Sequence, residues 1–115
     1  MPSQDPRRRL KDILEHAALI RSWVKSMSLE EFARDTRTRY AVQMSLMIMG
    51  EAAEALPPEI RARHPNIHWR GLADIGNAFR QEYWAVEPQI VWDGLEHELL
   101  PLEEAVRAEL TQLED

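Results

Sequence analysis

Eight consecutive residues, Gly76-Asn77-Ala78-Phe79-Arg80-Gln81-Glu82-Tyr83, bring amide, guanidinium, carboxamide, carboxylate and phenol groups into little more than two helical turns. Groups of these types suit phosphate chemistry. Cutting a phosphodiester needs a group that moves protons and a cation that stabilises the charge crowding at phosphorus. Arg80 offers a planar, permanently charged fork matched to phosphate oxygens. Asn77 either positions that phosphate or caps and bridges a helix. Gln81 hydrogen-bonds but has no usable pKa, whereas the proton-moving role is best filled near neutral pH by a histidine. Arg70 either orients a phosphate or stacks on the neighbouring indole of Trp69, and Glu82 is a second candidate for positioning substrate. Metal chemistry finds less support. Glu51 and Glu54, three apart, resemble half of a carboxylate metal site whose matching Glu-x-x-His is absent. His64 and His68 are four apart, but Pro65 and Asn66 between them break any shared helical face, and His16 and His97 stand alone. Neither a metal nor another cofactor is expected.

Helices must hold these groups in place, and their boundaries are readable. Asp5-Pro6 is a start signal, with a capping side chain and a proline at the first helical position, and Leu10, Ile13, Leu14, Ala17 and Val24 then follow helical spacing to about Lys25. Ser28-Leu29-Glu30-Glu31 reads as a capping box opening a short second helix. Asp35-Thr36 opens a longer one, with Val42, Leu46, Met49, Ala53 and Leu56 on one face, that ends at Pro57-Pro58. A short turn starts at Pro58 and breaks at His64-Pro65-Asn66. The spacing then predicts a helix from Trp69 to about Tyr83 with Leu72, Ile75 and Phe79 inward. A break at Val86-Glu87-Pro88 leads to a short helix carrying Ile90, Val91 and Leu95, and a last helix follows Pro101 with Leu102, Val106, Leu110 and Leu113. No stretch alternates as a strand would. The expected fold is therefore all-α, an antiparallel bundle with short connections.

Composition narrows the function classes. The chain of 115 residues is long enough for one modest core, and no repeat, linker or low-complexity segment divides it, so a single domain over residues 1–115 is expected. With 44% hydrophobic and 30% charged residues it is built to fold. The absence of cysteine excludes disulfides and thiolate metal sites. No apolar run approaches the roughly 18 residues that span a bilayer, and no apolar signal core follows Met1 to Arg9, so a cytoplasmic protein without membrane contact is expected. A net charge of −6 disfavours broad binding to nucleic acid. Any RNA contact must be local, and Arg34, Arg37 and Arg39, or Arg61, Arg63 and Arg70, form local basic clusters. Met44, Met47 and Met49 with Leu46 and Ile48 make the third helix apolar around more than one face, which implies either a homodimer or a thoroughly buried helix. Trp84 and Trp92 read as core or interface anchors rather than base-stacking platforms.

The surroundings of the polar segment, Ile67-His68-Trp69-Arg70 before it and Val86 then Ile90-Val91-Trp92 after it, closely resemble the HepT-like branch of the HEPN ribonuclease toxins. The resemblance continues through Asp35-Thr36-Arg37-Thr38-Arg39, Gly50-Glu51-Ala52-Ala53 and Leu100-Pro101-Leu102. Two family patterns can be laid on the segment. The first has an Arg followed by Asn, a His four or five residues after that Arg and a Tyr two beyond, and it sets Gly76 at the Arg, Asn77 at the Asn, Gln81 at the His and Tyr83 at the Tyr. The second, Gly-Asn-x-Leu-Arg-His-x-Tyr, fits Gly76, Asn77, Phe79, Arg80 and Tyr83 and departs conspicuously at Gln81. The resemblance implies a four- to five-helix bundle of HEPN type and a metal-independent endoribonuclease, the toxin of a type VII pair, acting on RNA through Arg80 and Asn77. Gln81 at the usual His position implies activity reduced or lost. The family's Tyr is adenylylated by an MntA-like nucleotidyltransferase antitoxin, which points to Tyr83, and its homodimers build one composite cleft from two copies of the motif. The alternative is a catalytically silent helical dimer that binds RNA or the nucleotidyltransferase as an adaptor.

Overall fold

The computed structural model describes residues 5–114, so the expected domain span of 1–115 reaches beyond the described residues at 1–4 and at 115. The chain is folded as α1 (Pro6–Val24), α2 (Leu29–Arg34), α3 (Thr36–Ala55), α4 (Pro58–Ala62), α5 (Trp69–Glu82), a 3-10 turn (Tyr83–Ala85), α6 (Pro88–His97) and α7 (Leu99–Glu114). Among the described residues there is no strand, and the all-α expectation holds. No helix among them is long and apolar enough to cross a membrane.

Local chemistry sets most of the boundaries. The Asp5 carboxylate accepts from the Arg7 N–H and opens α1. Ser28 Oγ accepts from the Glu31 N–H at 3.1 Å while the Glu31 carboxylate accepts from the Ser28 N–H at 3.0 Å, the reciprocal bonding of a capping box. Asp35 ends α2 and caps α3, and its bond from the Thr38 N–H holds its carboxyl below the usual aspartate range. The last helix starts at Leu99, three residues ahead of the expected Leu102. Pro101 is tolerated there because the N–H groups of a first helical turn have no intrahelical acceptor to lose.

The core forms where α1, α3 and α7 face one another. Leu10, Ile13, Ala17 and Ile20 of α1, Val42 and Met49 of α3 and Val106 of α7 are fully buried. Phe32 of α2 is 1% exposed and packs on Trp92 of α6, with ring centroids 5.3 Å apart, which ties the two short helices together. Helix α5 runs antiparallel to α3, because Gly50 faces Leu72 and Ala73 whereas Gly76 faces Leu46 and Met47. The crossing is close. A Cβ on Gly50 would sit 2.9 Å from the Leu72 carbonyl oxygen, so that position has no room for a side chain. Small residues, Gly50, Ala73 and Gly76, thus sit at the close α3–α5 approach; Phe79 is the one large buried residue of α5, while Leu72 and Ile75, expected inward, are only partly covered. Ile90, also expected on an apolar face, is 57% exposed.

Two buried carboxylates lock α7 to the rest of the bundle. Glu103 lies 2.7 Å from Nε of Arg21 on α1, close enough to pair although the contact lacks hydrogen-bond geometry. Glu109 accepts from Arg63 at 2.6 and 3.1 Å and contacts Nε2 of His64 at 2.7 Å. The Arg63 guanidinium, with His64 beside it, holds the Glu109 carboxyl below the usual glutamate range against the opposing effect of burial. A carboxyl depressed in the folded state stabilises above its unfolded pKa, and that stabilisation is lost as pH falls through the folded value. Glu109→Gln is therefore expected to destabilise the fold at neutral pH by about 1–3 kcal/mol. The deficit should shrink in thermal melts taken below the ordinary glutamate range of about pH 4. A deficit that stays constant down to about pH 3 would show that charge at Glu109 is not the cause.

Candidate active site

Of the residues singled out by type, Asn77, Arg80, Gln81, Glu82 and Tyr83 lie at the carboxyl end of α5, whereas Arg70 lies in its first turn. Helical spacing puts Asn77 and Arg80 on one face, one turn apart. Arg80 donates from one terminal nitrogen to Asn77 Oδ1 at 3.3 Å, and its other terminal nitrogen lies 3.6 Å from the Glu51 carboxylate of α3. On the opposite face Phe79 is 3% exposed and anchors the helix in the core. A cation suits this position, because the last turn of a helix carries the negative end of its dipole. The Arg80–Glu51 pair is open to solvent, with side chains 45% and 67% exposed. Such a pair contributes little, so a phosphate can displace Glu51 from the guanidinium at small cost.

The helix stops at Glu82, whose φ of −146° and ψ of 67° leave the helical region, and the chain continues as the 3-10 turn before Val86 extends. Pro88 then denies Glu87 a helical conformation, and α6 begins on the proline itself. This break brings Tyr83 back toward α3: its ring centroid lies 6.1 Å from that of Tyr40 and 5.2 Å from that of Trp84, nearly perpendicular to both. Gln81 and Glu82 are exposed beside Arg80. The local group is thus Glu51, Asn77, Arg80, Gln81, Glu82 and Tyr83. Arg70 is not part of it. Ten residues earlier on α5 and so about 15 Å away along the axis, it pairs with Asp74 at 3.3 Å. The indole N–H of Trp69 donates to the Arg61 and His64 carbonyls, both at 3.1 Å, and ties the start of α5 to α4 and the loop after it.

Sequence reasoning missed two members of this neighbourhood. Glu51 was weighed as half of a metal site and not as a partner of Arg80, and Tyr40 carried no signal at all, because its partner is 43 positions away in the chain. Of the two tryptophans expected as core or interface anchors, Trp92 is partly buried and packs against the core at Phe32, whereas Trp84 is 69% exposed and lies outside the core. Met44 is 57% exposed, so the third helix is not buried throughout. The histidines separate, with His64 on Glu109 and His68 beside Glu98. Among the described residues no group of three or more His, Asp or Glu is placed to hold a metal ion. An apolar cavity of about 310 Å³ opens between α3, α5, α6 and α7, but Asn77, Arg80, Gln81 and Tyr83 do not line it.

Residues 13–109 match the family described as ribonuclease HepT-like. This chain belongs to the HepT-like ribonuclease family. Its relatives include two proteins that carry the name "Putative RNase". The one from Methanocaldococcus jannaschii is 34% identical over 93 residues, which cover 81% of this chain and 77% of the relative. The one from Caldanaerobacter subterraneus subsp. tengcongensis is 34% identical over 102 residues, covering 89% and 91%. The "Probable ribonuclease HepT" of Thermococcus cleftensis is 30% identical over 90 residues, covering 78% and 82%. No solved structure matches the chain.

Geometry bears on the two HepT-like patterns. In the first the cation belongs at Gly76, which is buried with its Cβ direction 3.4 Å from the Met47 backbone. In the second it belongs at Arg80, whose guanidinium already lies at the surface against Asn77. The second pattern is the one whose polar members are neighbours in this chain.

Proposed function

We propose that this chain is built as a HEPN-type endoribonuclease, the toxin of a HepT–MntA-like pair, with Gln81 leaving it weak or silent as a catalyst. The observation that carries the reading is the exposed Asn77–Arg80 pair beside Gln81 and Tyr83, in a member of a ribonuclease family. In the reaction the 2′-hydroxyl loses its proton as its oxygen attacks phosphorus, the bond to the 5′-oxygen breaks, and that leaving oxygen takes up a proton. The products are a 2′,3′-cyclic phosphate and a free 5′-hydroxyl. Arg80 stabilises the pentacoordinate phosphate, Asn77 holds the guanidinium in line, and Glu82 and the more distant Arg70 orient the strand. No metal takes part. Proton transfer belongs to the position of Gln81, whose carboxamide cannot perform it.

A homodimer with a composite cleft is part of this reading, and the exposure of Met44 in the middle of α3 supports it. Two Arg80 side chains across a two-fold axis would concentrate a positive charge that the net charge of −6 conceals. The domain spans 1–115 and works in the cytoplasm. RNA cleavage by a Gln81→His form, absent from the chain as it stands, tests the enzymatic reading. The second reading, a silent dimer that adapts RNA or a nucleotidyltransferase, is favoured by Gln81 itself.

Tyr83 is the proposed acceptor for adenylylation by an MntA-like nucleotidyltransferase, and its 49% exposure makes the phenol reachable. Adding AMP places negative charge three residues from Arg80, where it repels RNA phosphate. Incubation of the Gln81→His form with the nucleotidyltransferase and ATP is expected to add the mass of one AMP and to stop cleavage. Tyr83→Phe should escape both effects. Loss of cleavage without modification of Tyr83 would place the inhibition elsewhere.

A further inference from the structure

The reading as a ribonuclease leaves a row of rings unexplained. Tyr40 on α3, Tyr83 at the head of the 3-10 turn and Trp84 next to it are 51%, 49% and 69% exposed. They are ordered against one another, not scattered: Tyr83 stands edge-on to Tyr40 at 83° and to Trp84 at 90°, with centroids 6.1 and 5.2 Å apart. Contiguous exposed aromatic surface of this kind marks a binding site. We propose that Tyr40, Tyr83 and Trp84 form a stacking platform for unpaired RNA bases, so that the substrate is a strand presenting unpaired nucleotides beside the phosphate held at Arg80. This rests on the ribonuclease reading and names the substrate class of that same site.

Charge and chain geometry select this occupant. Arg80 precedes Tyr83 by three residues, and exposed Arg37 precedes Tyr40 by three on α3, one helical turn away. Cations therefore adjoin the row from both helices. An apolar protein surface laid on the rings would desolvate those cations and leave only the solvent-exposed Glu51 carboxylate paired with Arg80, a contact that contributes little. A nucleic-acid strand supplies phosphates for the cations and π faces for the rings together. The carboxylates of Glu82 and Glu87 lie near the same end of α5, so phosphate attraction alone is weak here and the rings must carry much of the affinity. A duplex keeps its bases stacked inside and cannot offer them to the platform.

The test measures binding of the full chain, as it stands with Gln81, to three probes of equal length: a single-stranded oligouridylate, an abasic ribose-phosphate strand and an RNA duplex. The oligouridylate is expected to bind more tightly than the abasic strand by roughly 5- to 150-fold for each base that stacks. That advantage should collapse in Tyr40→Ala/Trp84→Ala and survive largely in Trp84→Phe, with circular dichroism showing each variant folded. Equal binding of the oligouridylate and the abasic strand, or an advantage that persists without the rings, overturns the platform. So does a fall in molecular mass by light scattering in the ring variant with its base preference intact, which would make the row an interface between copies. Cleavage by the Gln81→His form alongside equal binding of all three probes would retain the ribonuclease reading and remove the platform alone. Absence of both binding and cleavage would remove the two together.

Discussion

Replacing Gln81 by histidine is expected to raise RNA cleavage by roughly 100- to 10,000-fold, the usual contribution of a positioned general acid or base. The position already has what such a group needs. It is exposed, and it directly follows the arginine whose guanidinium is oriented by Asn77 and lies near Glu51. An imidazole there would titrate near neutral pH, where both of its protonation states are available to the reaction. Because the surrounding side chains are unaltered, the gain should appear in turnover rather than in RNA affinity. Adding Arg80→Ala to the Gln81→His form should remove most of the gain, since loss of one stabilising donor at a developing oxyanion typically costs about 100- to 1,000-fold. Assays of the parent, the single and the double variant on the same RNA, scored for 2′,3′-cyclic phosphate ends, decide the matter. Cleavage by the parent equal to that of Gln81→His would show that proton transfer does not pass through this position.

Phe32→Ala is expected to have the largest effect on stability, about 3–5 kcal/mol for a fully buried aromatic side chain. That is a large part of the roughly 5–15 kcal/mol holding a domain of this size. Phe32 is the buried residue of the short helix α2, and its ring on Trp92 joins that helix to α6. Neither helix is long enough to be stable by itself, so both depend on this contact. Denaturant titration should show a lower midpoint for Phe32→Ala, and a smaller loss for Phe32→Leu, which keeps most of the volume. Trp84→Ala, on a side chain 69% exposed, is expected to fall within about 0.5 kcal/mol of the parent. If Trp84→Ala destabilises as much as Phe32→Ala, the exposed ring row is part of the packing and cannot serve a ligand.

These contrasts show what was legible in the chain. Asp5, Ser28 with Glu31, and Asp35 marked three helix starts, because a cap acts through backbone groups within a few residues of itself, whereas the turn expected at Pro58 is the helix α4 and the break expected through Pro88 ends one residue earlier, since Pro88 opens α6. The pairing of Asn77 with Arg80 was equally readable, since a spacing of three on a helix is a contact by geometry. The start of α7 was placed three residues late because proline punctuates a helix without saying which position of the first turn it occupies.

By itself, then, the sequence determined the helical class, the family and the local row of polar groups at the end of α5, with a glutamine at position 81. Only the tertiary structure decided which of two tryptophans packs against the core: Trp92 lies against Phe32 while Trp84, eight residues earlier, faces solvent. It alone brought Glu51 to Arg80 and Tyr40 to Tyr83, and it alone showed Gly76 closed against α3. The physical reason is range. Caps, turns and one-turn pairs are settled by hydrogen bonds and spacings inside a few residues, whereas these contacts follow from how closely α3 and α5 approach. That approach is set by glycines at positions 50 and 76, which have no side chain to hold the helices apart.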